Sequence, residues 1–272
     1  MKKLLVISLI ILLTGLISCS SAPKTKSAGN AEADYNKALQ SFSKRNFFEA
    51  IPAFEELKDK YPVSPYATLA ELRLGDCHFL QDELELAIHY YENFKRLHPN
   101  NPNVPYSIYM TGICYFEQLL AVDRDQTAAL EAVEYFQFLV DLYPESPYSG
   151  KALCKISEAK KQIAEHETMI GLFYLKNRNY QGATNRFIKL LKHYPESINK
   201  DKIYYHIAQA DFESGNVERG DKIVSLLENK YPESTYTPLA KMLAGQNQPE
   251  TGAPVKEDKK KNLDKNKKWL FF

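Results

Sequence analysis

A short stretch built on an aromatic residue and a proline recurs along this chain, and its spacing restricts the fold more than any other feature. Tyr61-Pro62-Val63-Ser64-Pro65-Tyr66 returns as His98-Pro99, as Tyr143-Pro144-Glu145-Ser146-Pro147-Tyr148, as Tyr194-Pro195-Glu196-Ser197 and as Tyr231-Pro232-Glu233-Ser234-Thr235-Tyr236. Twelve residues before each first proline stands a small residue: Ala50, Ala87, Ala132, Ala183 or Gly220. In four of the five units another lies twelve positions earlier still, at Ala38, Gly75, Gly171 and Ala208. Four positions after the residue nearer the proline comes a bulky side chain, Phe54, Tyr91, Phe136, Phe187 or Val224.

Two antiparallel helices per unit satisfy this spacing. Small residues let helix A approach helix B closely, and the bulky residue one turn further on shares their face and fills the gap. Proline then ends helix B, because its ring and missing N–H cannot continue the hydrogen-bond ladder. Ser64-Pro65 and Ser146-Pro147 restart the next helix A, with serine as N-cap and proline at the first helical position. This is the tetratricopeptide pattern. The expected fold is all-α, an α-solenoid of five tetratricopeptide-like helix-turn-helix repeats with a long linking helix, burying its core by stacking neighbours. The units span about 34–62, 66–99, 104–144, 148–195 and 199–232, and a capping helix follows to 244.

Unit one pairs Tyr35 to Lys44 with Phe47 to Lys60, and unit two pairs Tyr66 to Leu80 with Leu84 to Leu97. In unit three, Gly112 to Ala132 spans twenty residues instead of twelve, which puts eight extra residues in the turn around Gln118 to Gln126. The Asp123-Arg124-Asp125 run there reads as helix capping and ion pairing rather than as a metal site. From Pro144 to Gly171 the chain runs fourteen residues longer than the corresponding step elsewhere. Leu153, Ile156, Ile163, Ile170 and Phe173 suggest one apolar stripe, so Tyr148 to Leu175 is expected to form a single long helix.

Composition narrows the chemistry. Formal charge is +1 over 272 residues, and −1 once Lys2 and Lys3 are removed with residues 1–18, which gives no nucleic-acid-binding balance. The six histidines form no HExxH, no serine sits in a G-x-S-x-G elbow, and there is no glycine-rich phosphate loop. Asp76-Cys77-His78 does not form a catalytic cluster, because consecutive helical side chains point about 100° apart. A non-catalytic binding protein without cofactor or metal is therefore expected. Cys77, Cys114 and Cys154 fall in A-type helices and read as small buried residues.

The ends differ from the repeats. Residues 1–18 begin with Lys2-Lys3, run apolar from Leu4 to Leu13 and close on Leu16-Ile17-Ser18 before Cys19, which reads as a secretory signal too short for a comfortable membrane span. Its ending resembles the bacterial lipobox. That resemblance implies cleavage before Cys19, lipidation of Cys19, and, with Ser20 rather than aspartate next, delivery to the outer membrane on its periplasmic face. Acyl chains hold a protein at a membrane by about 0.8 kcal/mol per buried CH₂. Residues 19–33 are then the lipidated cysteine and a flexible tether, 34–246 the solenoid, and 247–272 a disordered Lys-rich tail.

In tetratricopeptide units, helix A positions 2, 5, 9, 12 and 13 tend to face the concave surface. Here they select Tyr35, Leu39 and Phe42, then Leu72, Asp76 and Phe79, then Tyr106, Tyr109 and Phe116. An aromatic groove of this kind suits an extended apolar peptide ending in an aromatic residue, and packing between repeats is the competing use of the same rings.

The order of motifs is more specific than the repeat alone. Tyr61 to Ala67, Leu97 to Val104, Tyr109-Met110-Thr111-Gly112, Asp123-Arg124-Asp125 and Asn185-Arg186 resemble the BamD family of the outer-membrane β-barrel assembly machinery over about residues 16–245. The resemblance implies a lipid-anchored scaffold whose C-terminal repeats dock the POTRA region of a BamA-like barrel insertase. Its N-terminal repeats would meet unfolded outer-membrane proteins, and other Bam lipoproteins would be partners. Arg186, matching the family's Asn-Arg pair, is the residue expected to ion-pair with an acidic POTRA side chain. The lysine-rich tail and the low arginine content depart from the pattern. A secretin pilotin or a cell-wall hydrolase adaptor would share the anchor and the repeats.

Overall fold

A computed structural model describes residues 31–119, 122 and 124–246. Cys19, the tether before Ala31, Asp123 and the tail from 247 lie outside the described residues. Within them the chain is helical: α1 Ala31–Ser43, α2 Phe47–Lys60, α3 Pro65–Leu80, α4 Leu84–Leu97, α5 Val104–Glu117, α6 Thr127–Leu142, α7 Ser149–Lys176, α8 Tyr180–His193, α9 Lys200–Glu213, α10 Val217–Lys230 and α11 Tyr236–Gln246. No strand is present among the described residues. Two compact units divide the chain between Ile163 and Ala164, inside α7.

The spacing of small and bulky residues becomes packing in both units. Ala50, Ala87, Ala132 and Ala183 have no exposed surface, and neither do the rings of Phe54, Tyr91, Phe136 and Phe187. The close approach is quantitative. A Cβ added to Gly75 would sit 2.7 Å from the Tyr91 ring, one on Gly112 would sit 2.6 Å from Phe136, and one on Gly171 would sit 2.5 Å from Phe187. In the first unit successive helices pack in chain order, and α1 also meets α3. In the second, α9 packs on α8, α10 and α11.

Local signals behave as the residues suggest. Ser64 caps α3, its hydroxyl accepting from the Tyr66 N–H at 3.2 Å with Pro65 at the first position. Asp125, one residue before the α6 N-cap Gln126, accepts from the Thr127 N–H at 2.7 Å. Four of the tight A-to-B turns share one device, a residue in the left-handed region at Arg45, Asp82, Arg178 and Gly215, with φ of 58°, 63°, 59° and 80°.

Some details differ from expectation. Helix α1 begins at Ala31, inside the stretch read as tether, because Ala31 is buried and Glu32 and Asp34 place negative charge in the first turn. The long helix runs Ser149–Lys176, and of the expected stripe Ile156 and Ile163 are buried while Leu153 and Phe173 are not. Leu153 and Phe173 are 53% and 62% exposed, while Ala152, Ala159, Ala164 and Leu175 are buried beside the two isoleucines, Ala152 and Ile156 in the first core and Ala164 and Leu175 in the second. Alanines at 152, 159 and 164 share that contact with the larger side chains, for the close-approach reason that governs the repeats.

Cys154 is a further correction. It is exposed, whereas Cys77 and Cys114 are buried as expected. The buried positions Ala152 and Ile156 lie one turn apart, and Cys154 falls midway between them on the opposite side of α7. Burial pushes the Cys77 and Cys114 thiols up to about 12. Their thiolate fraction at pH 8 is therefore on the order of a thousandfold below that of an ordinary cysteine. Iodoacetamide at pH 8 is expected to alkylate Cys154 in the folded protein and spare Cys77 and Cys114 until denaturant is added. Peptide mass spectrometry reads the three sites separately, and equal rates in the native state would contradict the packing described.

Candidate functional site

In the first unit the side chains singled out above meet around one buried carboxylate. Asp76, 4% exposed, lies on α3 one residue after Gly75. The Tyr91 hydroxyl donates to its Oδ1 at 2.7 Å and the Tyr106 hydroxyl to the same atom at 2.6 Å. Arg73, three residues earlier on the same helix, ion-pairs with Oδ2 and donates from Nε to the Tyr35 hydroxyl at 3.4 Å. Burial first, and the Asp76 charge second, raise the Tyr91 and Tyr106 phenols above their ordinary value, so both stay protonated and donate. Helices α1, α3, α4 and α5 are thereby joined through one polar cluster, which has the partners a buried charge requires.

From this cluster an aromatic face extends along α5 and the start of α7. Tyr148 packs against Tyr106 at 5.5 Å and stacks on Tyr109 at 5.4 Å between ring centroids. Tyr109 and Phe116 both contact Phe136, and the Lys155 ammonium lies 4.0 Å above the Phe116 ring. At the other end the Arg73 guanidinium lies 6.0 Å from the Phe42 ring, itself edge-on to Phe47. Rings with cations beside them can hold an extended chain by area, cation–π attraction and phenol hydrogen bonds together.

The nine expected groove positions therefore separate by burial. Leu39, Phe42, Phe79, Tyr106, Tyr109 and Phe116 are half-buried, while Tyr35, Leu72 and Asp76 are buried. Leu72 belongs to the core around Phe136 and Ile108, and Asp76 and Tyr35 hold the face together from beneath. Sequence reasoning missed Arg73, Tyr148 and Lys155. Tyr148 was readable, since the second tyrosine does the same thing in the two other closing motifs that carry one: Tyr66 packs on Tyr35 at 5.6 Å and Tyr236 on Tyr205 at 5.6 Å.

In the second unit, Arg186 on α8 has a partner within its own chain. Its Nη1 donates to Glu167 of α7 at 2.6 Å, and the Lys189 ammonium reaches the other Glu167 oxygen at 3.5 Å. The Glu167 hydrogen bond, opposed by partial burial, raises Arg186 above its ordinary value. One carboxylate is thus shared by two cations, and the cluster keeps a net positive charge. Glu167, which the sequence reading of Arg186 did not include, holds the guanidinium at this place on the surface. Deeper in the same unit Asp211 is fully buried and accepts from Arg219 Nε at 2.8 Å, with burial raising its carboxyl and Arg219 opposing that rise.

Among the described residues no helix is long and apolar enough to cross a membrane. Comparison with known proteins places the repeats in a family. Residues 27–203 match YfiO, described as outer membrane lipoprotein. The chain is similar to the outer membrane protein assembly factor BamD of Caulobacter vibrioides, at 28% identity over 73% of this chain and 65% of that protein. It is similar to the BamD of Rickettsia prowazekii, at 26% identity over 74% of this chain and 80% of the relative. It thus spans just under two thirds of the Caulobacter protein's length and most of the Rickettsia one's. Among solved structures it is similar to a tetratricopeptide repeat protein from Parabacteroides merdae, at 18% identity over 80% of this chain and 75% of that one, with a TM-score of 0.36. The match to YfiO covers every helix that builds the aromatic face, the shared Glu167 and the Asn185-Arg186 pair, and on it the chain belongs to the YfiO family of outer membrane lipoproteins.

Proposed function

We propose that this protein is a non-catalytic, lipid-anchored scaffold for the assembly of β-barrel proteins into the outer membrane. The family match over residues 27–203 carries this reading, and relatives that bear the name of outer membrane protein assembly factor support it. On this reading Cys19 holds the protein at the periplasmic face of the outer membrane. The aromatic face of the first unit receives an extended segment of an unfolded outer-membrane protein, with Tyr106, Tyr109, Phe116 and Phe42 as contact rings. The Arg186–Glu167–Lys189 cluster of the second unit meets an acidic side chain on the POTRA region of a BamA-like insertase, and other Bam lipoproteins join the assembly. Glu167 supports this role by fixing the Arg186 guanidinium before a partner arrives, which lowers the ordering cost of binding.

Gentle extraction of the C-terminally tagged protein from its own membranes, followed by mass spectrometry, tests the reading. A POTRA-bearing barrel protein is expected in roughly equal amount, and a secretin or cell-wall hydrolase in its place would transfer the function. Arg186→Glu is expected to reduce recovery of that barrel partner at least tenfold, while the melting temperature moves by only a few degrees. The Glu167–Arg186 pair is part-exposed, and such pairs contribute about 0–1 kcal/mol. Full recovery with Arg186→Glu would remove Arg186 from the interface.

A further inference from the structure

The second unit holds a cavity of about 370 Å³ that the assembly reading does not use. It opens between the end of α7 with its turn and the exposed side of α9. On the first wall stand Lys176 and Arg178, both exposed and neither in an ion pair among the described residues. Its apolar lining comes from Leu172 and Leu175 of the same helix. On the facing wall Gln209 donates from Nε2 to Glu213 at 2.8 Å and lies 3.4 Å from His206 Nδ1 through its Oε1. The His206 ring stacks on Phe187 at 5.7 Å, and burial lowers its pKa, so it faces the cavity as a neutral imidazole at pH 7.

Two cations on one wall against one carboxylate on the other leave the cavity net positive, with the two signs separated across it. A bare anion such as phosphate suits only one wall, since Glu213 faces it from the other. A peptide suits both. Its acidic side chain reaches the Lys176 and Arg178 side, a backbone N–H donates to the Glu213 carboxylate that Gln209 orients, and an apolar neighbour packs on Leu172 and Leu175. We propose that this cavity is a docking site for an extended acidic segment of a partner protein, with glutamate or aspartate beside leucine-like side chains. It is distinct from the aromatic face of the first unit and from the Arg186 cluster, and it does not depend on the identity of the insertase.

The probe is a fluorescein-labelled peptide of alternating leucine and glutamate, with a control peptide carrying glutamine at each glutamate, both followed by fluorescence anisotropy against the purified full-length protein. The acidic peptide is expected to bind at least tenfold more tightly than the glutamine peptide, and the difference is expected to shrink as salt rises. The double substitution Lys176→Glu with Arg178→Glu is expected to abolish that preference and to favour a lysine-leucine peptide instead. Both side chains are exposed, so the melting temperature should hold. Lys222→Glu, on the exposed side of α10, is expected to leave binding unchanged. Equal binding of the acidic and glutamine peptides overturns the proposal, as does binding that survives the double reversal or falls as much with Lys222→Glu.

Discussion

Replacing Phe136 with alanine is expected to destabilise the first unit by about 3–5 kcal/mol, lowering its thermal midpoint by roughly 10 °C. The ring has no exposed surface, and it lies where a Cβ on Gly112 would approach to 2.6 Å. The helices cannot close over the void, because their separation is set by neighbouring turns that remain well packed. The converse change is also unfavourable. Gly112→Ala gains helix propensity worth about 1 kcal/mol but forces its methyl onto the ring, an overpacking cost of about 1–3 kcal/mol. If the glycine and the ring form one contact, the two costs are not additive. Gly112→Ala measured in the Phe136→Leu background should then cost less than in the native protein, and urea melts of the four proteins in that cycle decide it. Additive costs would mean that the small residue is kept for another reason.

Asp76→Ala carries the second large effect. It leaves the Tyr91 and Tyr106 hydroxyls and the Arg73 guanidinium without their shared acceptor, at a cost of about 3–5 kcal/mol. Arg73 retains a route to water because about a third of its side chain is exposed, which favours the lower end of that range. The test lies in the coupling. Tyr106→Phe is expected to cost about 1 kcal/mol in the native protein and nothing in the Asp76→Ala protein, since the hydroxyl there has no carboxylate to meet. A constant Tyr106→Phe cost in both backgrounds would show that the phenol is held by something else.

The repeat was legible because its determinants are local and periodic. A small residue, a ring one turn later and a proline twelve residues on fixed the hairpins and most helix ends to within a residue or two. The long α7 was readable from the surplus of residues between Pro144 and Gly171. Its buried face was readable only in part: Ile156 and Ile163 pack as expected, but Leu153 and Phe173 are more apolar than the alanines that pack beside them, and only the neighbouring backbone decides that closeness outranks hydrophobicity there. The groove was half legible for a related reason. Position within helix A named Tyr106 and Asp76 but gave no sign that they bond each other, and Arg73 lies off the expected face although its guanidinium reaches across it. Arg186 was located by a two-residue pattern, while Glu167, nineteen residues away, became its partner only through the fold.

The tyrosines at the ends of the closing motifs have a consequence for how such a chain can be rebuilt. Tyr66 and Tyr148 sit in segments that terminate one hairpin, yet each completes the surface of a hairpin that precedes it. The piece of chain that carries a finished surface is therefore longer than a helical pair and overlaps the start of its successor. A duplication, deletion or graft that respects helix boundaries would keep the core intact and strip the exposed side of a ring, so the interchangeable module for stability and the one for recognition are offset along the sequence.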